Sequence, residues 1–388
     1  MSCLLSLYGF AEAPVTIKDI RWSFGPPMRS LLKLQAQGVV GERIIVAAGT
    51  QVPGPGGDNS TNRAWLFDPR TSAYEELPNA PKVVAKTVGV TVGEDLYVIG
   101  GMDFKPGVIR QVWRLSRRSG RWTWEEMPPM PFPRIFSGVA VVGTTIIVLG
   151  GTCVYDAVNP AALSYPANLA VDTSSVIAFD TSRPQLGWFE LPPIPGQGRT
   201  TTAVAVVGNK IYLFGGRYYK TWASVNLLIP TGDAYVLDFE KLRWRQLPDL
   251  PAPLWGAQAV TYGKGPEIVL LGGIKNGKVE HPYGRPQTDL LAANLDVTVF
   301  DVEIEQYRVL PTPLPAYPMT AGARQQIAEM IPVAPPSDWV RNFDFAKGNR
   351  RAQPRGDFIG DRLYVIGSIV IGTEAHATND FLIGTVIK

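Results

Sequence analysis

The chain has 388 residues, a formal net charge of +3, 45% hydrophobic residues and 18% charged residues. A composition this apolar excludes a wholly disordered chain, and so small a positive excess, without a basic stripe, gives no reason to expect a nucleic-acid partner. No run of 18 apolar residues occurs, so no membrane span is expected.

At the N-terminus, the short apolar run from Cys3 to Phe10 precedes Ala11-Glu12-Ala13, which resembles a cleavage site, but no positive charge comes before it and Pro14 follows it. Residues 1–15 are therefore read as an extension. If it is a shortened signal remnant the protein is periplasmic or secreted, and otherwise it is cytoplasmic, so the compartment stays open. Cys3 and Cys153 are too few for a disulfide framework and lack metal-site spacing.

From residue 16 onward the chain repeats. An apolar run closing on a glycine pair occurs at Leu96–Gly101, Ile146–Gly151, Ile211–Gly216 and Ile268–Gly273, with degenerate copies at Ile44–Gly49 and Leu363–Ser368. Continuous apolar runs of strand length imply burial on both faces. In step with them an aromatic is followed four positions later by proline: Trp22/Pro26, Tyr74/Pro78, Trp124/Pro128, Trp188/Pro192, Trp244/Pro248 and Tyr307/Pro311. Proline suits the end of an edge strand. One further strand precedes each glycine run, as at Gly138–Val142 and Ala203–Val207, and another follows, as at Trp65–Asp68, Val176–Asp180, Ala234–Asp238 and Val297–Asp301.

Four strands at a period near 50 residues predict an all-β, six-bladed propeller over residues 16–388, one domain of four-stranded antiparallel blades. The aromatic–proline series starts before any glycine run, and one strand, Phe381–Ile387, follows the last. The N-terminal strand from Thr16 to Phe24 is therefore expected to complete the last blade.

With the strands of each blade running up and down, short turns such as Gly143-Thr144-Thr145 fall on one face, and the long connections fall on the other. These are Thr152–Ser175, Arg217–Gly232, Ile274–Leu295 and the longest, about 312–354, read as a lid or plug with helical composition over Ala321–Met330. Long connections without strand signals in a compact domain are usually functional. Alignment on the turn glycines places Arg134, Arg199 and Arg351 at one equivalent position, nine residues before Gly143, Gly208 and Gly360; Leu32, Val84 and Leu254 occupy it elsewhere. Arg217 directly follows a glycine pair on the same face. Guanidinium groups grip carboxylates bidentately, so these four predict a cationic mouth for an anionic small molecule. Alternatively, each arginine bonds loop carbonyls between blades. Tyr155, Tyr218, Tyr219, Trp222, Trp255 and Tyr283 supply aromatics on that face, of which Tyr218 and Trp255 are read as ligand-binding. An acidic sugar or glycan is the expected ligand, and a protein partner is the alternative.

The glycine pairs with an aromatic near the last strand resemble the kelch family. The stretch Leu247-Pro248-Asp249-Leu250-Pro251-Ala252-Pro253-Leu254-Trp255-Gly256 leading into Gly272-Gly273 resembles bacterial kelch proteins of the sialic acid mutarotase group, the N-acetylneuraminate epimerases. That resemblance implies an isomerase opening and reclosing a sugar ring, with an acid, a base and a carboxylate-binding arginine. The family's glutamate after the fourth-blade glycine is Arg217 here, which leaves Asp103, Asp156 and Glu280 as substitute acid–base candidates and leaves open whether the protein is an enzyme or a non-catalytic binding module. No cofactor and no metal are expected: the copper site of galactose oxidase, another kelch architecture, takes two histidines, two tyrosines and a cysteine, whereas His281 and His376 lie on separate loops.

Overall fold

The computed structural model describes residues 16–28, 30, 32–54, 57–103, 107–154, 170–222, 225–276, 291–315, 350–352, 354–367, 369–371, 376–377 and 381–388. Four-stranded antiparallel sheets recur through residues 36–77, 88–127, 138–191, 203–247 and 258–309. In the third, Gly138–Val142 pairs with Thr145–Leu149, which pairs with Val176–Asp180 and then Trp188–Leu191. A last sheet joins Arg355–Ile359, Arg362–Ile366 and Phe381–Ile387 to the N-terminal strand Asp19–Phe24, with Asp19 opposite Ile387 and Phe24 opposite Leu382. The expected N-terminal strand is thus present but begins at Asp19. The chain is all-β, with the sheet architecture of a kelch-type β-propeller.

The apolar runs are buried on both faces because they lie between neighbouring sheets. Ile146 and Val148 pack with Tyr97, Ile99 and Val112 of the preceding sheet. Ile147 and Leu149, one pleat away, pack with Ile211, Leu213 and Leu237 of the following one. Successive side chains of a strand point to opposite faces, so a strand sandwiched between sheets is apolar throughout. The first and last sheets meet in the same manner: Ile44 and Val46 pack with Tyr364, Ile366 and Phe381.

The glycine pairs have a steric cause. Gly150 has φ +58°, and a Cβ there would lie 2.5 Å from the carbonyl oxygen of Arg199. Arg199 stands at the equivalent position of the next repeat, where its main chain crosses the preceding sheet. A positive φ and a close backbone approach both favour glycine. Gly100 faces the Arg134 carbonyl, Gly215 that of Leu254 and Gly367 that of Leu32 in the same way.

The aromatic–proline series is a ladder between sheets. Trp124 Nε1 donates to the Pro78 carbonyl, Trp188 Nε1 to Pro128 and Trp244 Nε1 to Pro192, while the Tyr307 hydroxyl donates to Pro248 and the Tyr74 hydroxyl to Pro26. Trp22 does not join the ladder; its Nε1 is buried with no partner among the described residues. Thr312 binds Asp19 at that seam instead, through its amide and its hydroxyl.

The long connections differ from the expected stretches without strands. Arg217–Gly232 contains a hairpin, Arg217–Trp222 paired with Val225–Pro230. Thr152–Val154 pairs with Ala170–Asp172 and with Arg134–Ile135, and Ile274–Asn276 pairs with Leu291–Ala293 and with Leu254–Trp255. Beyond each glycine pair, then, the strands continue as small secondary sheets. Of the 312–354 connection, Leu314 is buried and Arg350–Ala352 pairs with Ile369–Ile371; the expected helix over Ala321–Met330 lies outside the described residues. No helix among the described residues is long and apolar enough to cross a membrane.

Candidate functional site

Arg217 opens its hairpin immediately after Gly215 and Gly216, and its main chain is bonded both ways to Thr200. Its guanidinium carbon stands 4.7 Å from the centre of the Trp255 indole. Trp255 is delivered by the next repeat, on the short strand that pairs with Ile274 and Lys275. Arg217 is 7% and Trp255 8% exposed. A guanidinium stacked on indole away from water gains on the order of 2 kcal/mol. Trp255 Nε1 is a buried donor with no partner among the described residues. Tyr218, next along the hairpin, is half-buried. Arg217 and Trp255 are therefore in contact, while Tyr218, the next residue of the strand, lies on the opposite face of the hairpin.

Arg134 and Arg199 serve the protein's own groups. Arg134 is 2% exposed and donates to the Gly150 carbonyl at 3.3 Å and to Ser175 Oγ at 3.0 Å. Arg199, 1% exposed, makes a bidentate pair with Asp233 at 2.6 and 2.8 Å and lies over the Tyr235 ring. Burial alone would raise the Asp233 carboxyl, but the Arg199 bonds outweigh it and hold the group below its usual value. Each of these arginines carries its main chain on the preceding glycine pair and sends its side chain into the following sheet.

Arg351 lies on a paired strand opposite Val370, and its side chain lies outside what the structure describes. So do those of Tyr219 and Trp222 on the Arg217 hairpin. Asp156, Glu280, Tyr155, Tyr283 and His281 also fall outside the described residues. Asp103 is half-buried at the end of Asp95–Asp103, opposite Gly107. His376 lies on a short strand opposite Val370. Cys153 is buried. No group of three or more His, Cys, Asp and Glu among the described residues is placed to hold a metal.

A cavity of about 280 Å³ is lined by the innermost strands of the four-stranded sheets; Gly38, Val90, Ala140, Ala205, Val260 and Asp357 each contribute to its wall. Sequence reasoning missed its polar part, Gln37, Arg355 and Asp357. The signal was there: in four repeats the positions matching Arg355 and Asp357 are Ala36/Gly38, Val88/Val90, Gly138/Ala140 and Ala203/Ala205.

Sheets of four antiparallel strands, glycine pairs under the next repeat's carbonyl and an aromatic–proline ladder define a β-propeller of repeated units. Residues 36–273 match the family described as the KLHDC2/KLHL20/DRC7 Kelch-repeats domain, and the chain belongs to the kelch-repeat family. It is 26% identical over 267 residues to Kelch-like protein terF of Aspergillus terreus, covering 67% of this chain and 54% of that protein. It is 23% identical over 229 residues to Kelch-like protein 36 of Mus musculus, covering 58% of this chain and 33% of that one. The chain thus matches about half the length of the first relative and a third of the second. To N-acetylneuraminate epimerase of Yersinia pestis it is 34% identical over 118 residues, 30% of this chain and 29% of that protein.

Proposed function

We propose that residues 16–388 form one closed six-bladed propeller that acts as a recognition module, binding the carboxylate of an acidic sugar at its mouth through Arg217 held on Trp255. Closure is supported by the seam between the first and last sheets. It repeats the internal seams in its apolar packing, in the Gly367–Leu32 approach and in the bond from Tyr74 to Pro26. The ligand assignment is carried by the Arg217–Trp255 stack. It sets a cation against an indole whose N–H has no partner among the described residues. A sugar acid complements both, with its carboxylate on the guanidinium and a hydroxyl oxygen on the indole N–H. Arg351 and the 312–354 connection, as a lid anchored through Thr312 and Arg350–Ala352, complete the proposed mouth.

The stretch of similarity to N-acetylneuraminate epimerase supports a second reading, turnover of the sugar anomers, with Asp103, Asp156 or Glu280 as acid and base. Against it, Arg217 fills the family's glutamate position. Binding without turnover is therefore the preferred reading.

One experiment separates these. A panel of acidic sugars including N-acetylneuraminate is titrated by NMR, reading binding and anomer exchange together. Binding that Arg217→Ala weakens roughly 10- to 150-fold, the loss of one charge-assisted bond, with no accelerated exchange, is the expected result. Accelerated exchange establishes the isomerase instead. Binding of acidic polypeptides with no sugar bound assigns the mouth to a protein partner.

A further inference from the structure

Arg355 and Asp357 stand two residues apart on the first strand of the last sheet, on one face of that strand. Their register partners are Ile366 and Tyr364, which pack toward the first sheet. From that sheet Gln37 reaches across, and its Nε2 donates to Asp357 Oδ2 at 2.7 Å. All three line the central cavity. Arg355 makes no hydrogen bond or ion pair among the described residues, and its Nε is buried without a partner. Gln37, 6% exposed, has its Oε1 buried without one as well. Guanidinium is a permanent cation with five donors. A buried guanidinium N–H left without an acceptor is costly, and neither charge exists at the matching positions of four other repeats.

We propose that the central cavity binds a small carboxylate anion on Arg355, beside Asp357 and Gln37. This site is separate from the mouth and does not depend on the reading of Arg217. A cavity of about 280 Å³ holds several water-sized groups, since one water takes roughly 30 Å³ of liquid, and so it admits a small acid. Burial raises the Asp357 carboxyl to about 6, against the opposing pull of the Gln37 bond and the Arg355 charge. Other groups of the cavity wall or packed against this strand are Gln258 and Thr261 of the fifth sheet, Thr91 of the second and Tyr364 behind Asp357; Arg355 and Asp357 are the only charged residues of the cavity wall among the described residues. Below about pH 6 the acid form donates to the anion, and above it the carboxylate repels the anion and neutralises Arg355 from within.

The probe is formate, with neutral formamide as control, followed by saturation-transfer NMR of the formate proton on the full chain at about pH 5.5 and about pH 8. Formate is expected to bind at the lower pH, about tenfold or more weakly at the higher, and formamide not at all. Asp357→Asn keeps a donor without the charge, so its binding is expected to be equal at the two values. Arg355→Gln is expected to bind at neither. Should that variant fail to fold, the Asp357→Asn comparison decides. Absence of formate binding, binding retained in folded Arg355→Gln, or a pH dependence surviving in Asp357→Asn overturns the proposal.

Discussion

The Tyr74 hydroxyl donates to the Pro26 carbonyl oxygen at 3.1 Å, joining the first sheet to the strand that completes the last. The Tyr307 hydroxyl makes the same bond to Pro248 within the interior of the series, at 2.9 Å. If the proposed ring is closed, the two bonds are equivalent. Tyr74→Phe and Tyr307→Phe are each expected to lower stability by about 1 kcal/mol, the net worth of one hydrogen bond, measured by denaturant unfolding. A neutral Tyr74→Phe beside a destabilising Tyr307→Phe means an open seam.

Deleting residues 1–26 tests the same closure on a larger scale. The deletion strips the edge of Phe381–Ile387 of its partner strand and leaves its outer backbone row unpaired. Aggregation, or loss of the cooperative melting transition, is expected by light scattering and circular dichroism. A soluble truncation with a single sharp transition contradicts the ring.

Two glycines of similar φ separate conformational strain from crowding. Gly143 has φ +60° and open space around a Cβ, whereas at Gly150 the Cβ would stand 2.5 Å from the Arg199 oxygen. Gly143→Ala is expected to cost about 1 kcal/mol, the left-handed backbone penalty. Gly150→Ala is expected to cost about 3 kcal/mol or more, because the neighbouring repeat must also shift. Equal losses in thermal unfolding contradict the steric account of the glycine pairs.

Arg199 and Asp233 are predicted to matter for stability. Arg199→Ala leaves the Asp233 carboxylate partly buried without its partner, an expected loss of roughly 2–4 kcal/mol, with sugar affinity per folded molecule unchanged. The Asp233 pKa is lowered on folding, so the pair stabilises the protein above the ordinary carboxylate range and loses that contribution as pH falls through the folded value. The wild type is therefore expected to lose melting temperature below about pH 4 faster than the Arg199→Met/Asp233→Leu double variant does. Parallel acid curves contradict this.

The strands were legible in sequence wherever one physical constraint governed every residue. Ile146–Leu149 is apolar throughout because alternate side chains feed two different cores, and Gly138–Val142, Val176–Asp180 and Phe381–Ile387 appear with the bounds expected. The secondary hairpins were not legible, since Arg217–Trp222 mixes charge and aromatics without a period-two pattern. The pairing of Arg199 was not legible, because its partner Asp233 lies 34 residues away and alignment of arginines with one another says nothing of the acid opposite. Arg217 and Trp255 came from separate arguments about position and ring chemistry; that they stack follows from the pairing of two neighbouring repeats.

The pairing of Asp19–Phe24 with Phe381–Ile387 also has a kinetic consequence. Register partners such as Ser23 and Ile383, whose main chain and side chain are bonded 360 residues apart, are as remote in sequence as almost any two residues of this chain. Their loop-closure entropy is offset only after every intervening repeat is in place. A chain emerging from the ribosome must hold its first strand unpaired until the last has been made. During that wait the last sheet can capture the first strand of a neighbouring copy as readily as its own, so domain-swapped dimers are the misfolded product this topology favours.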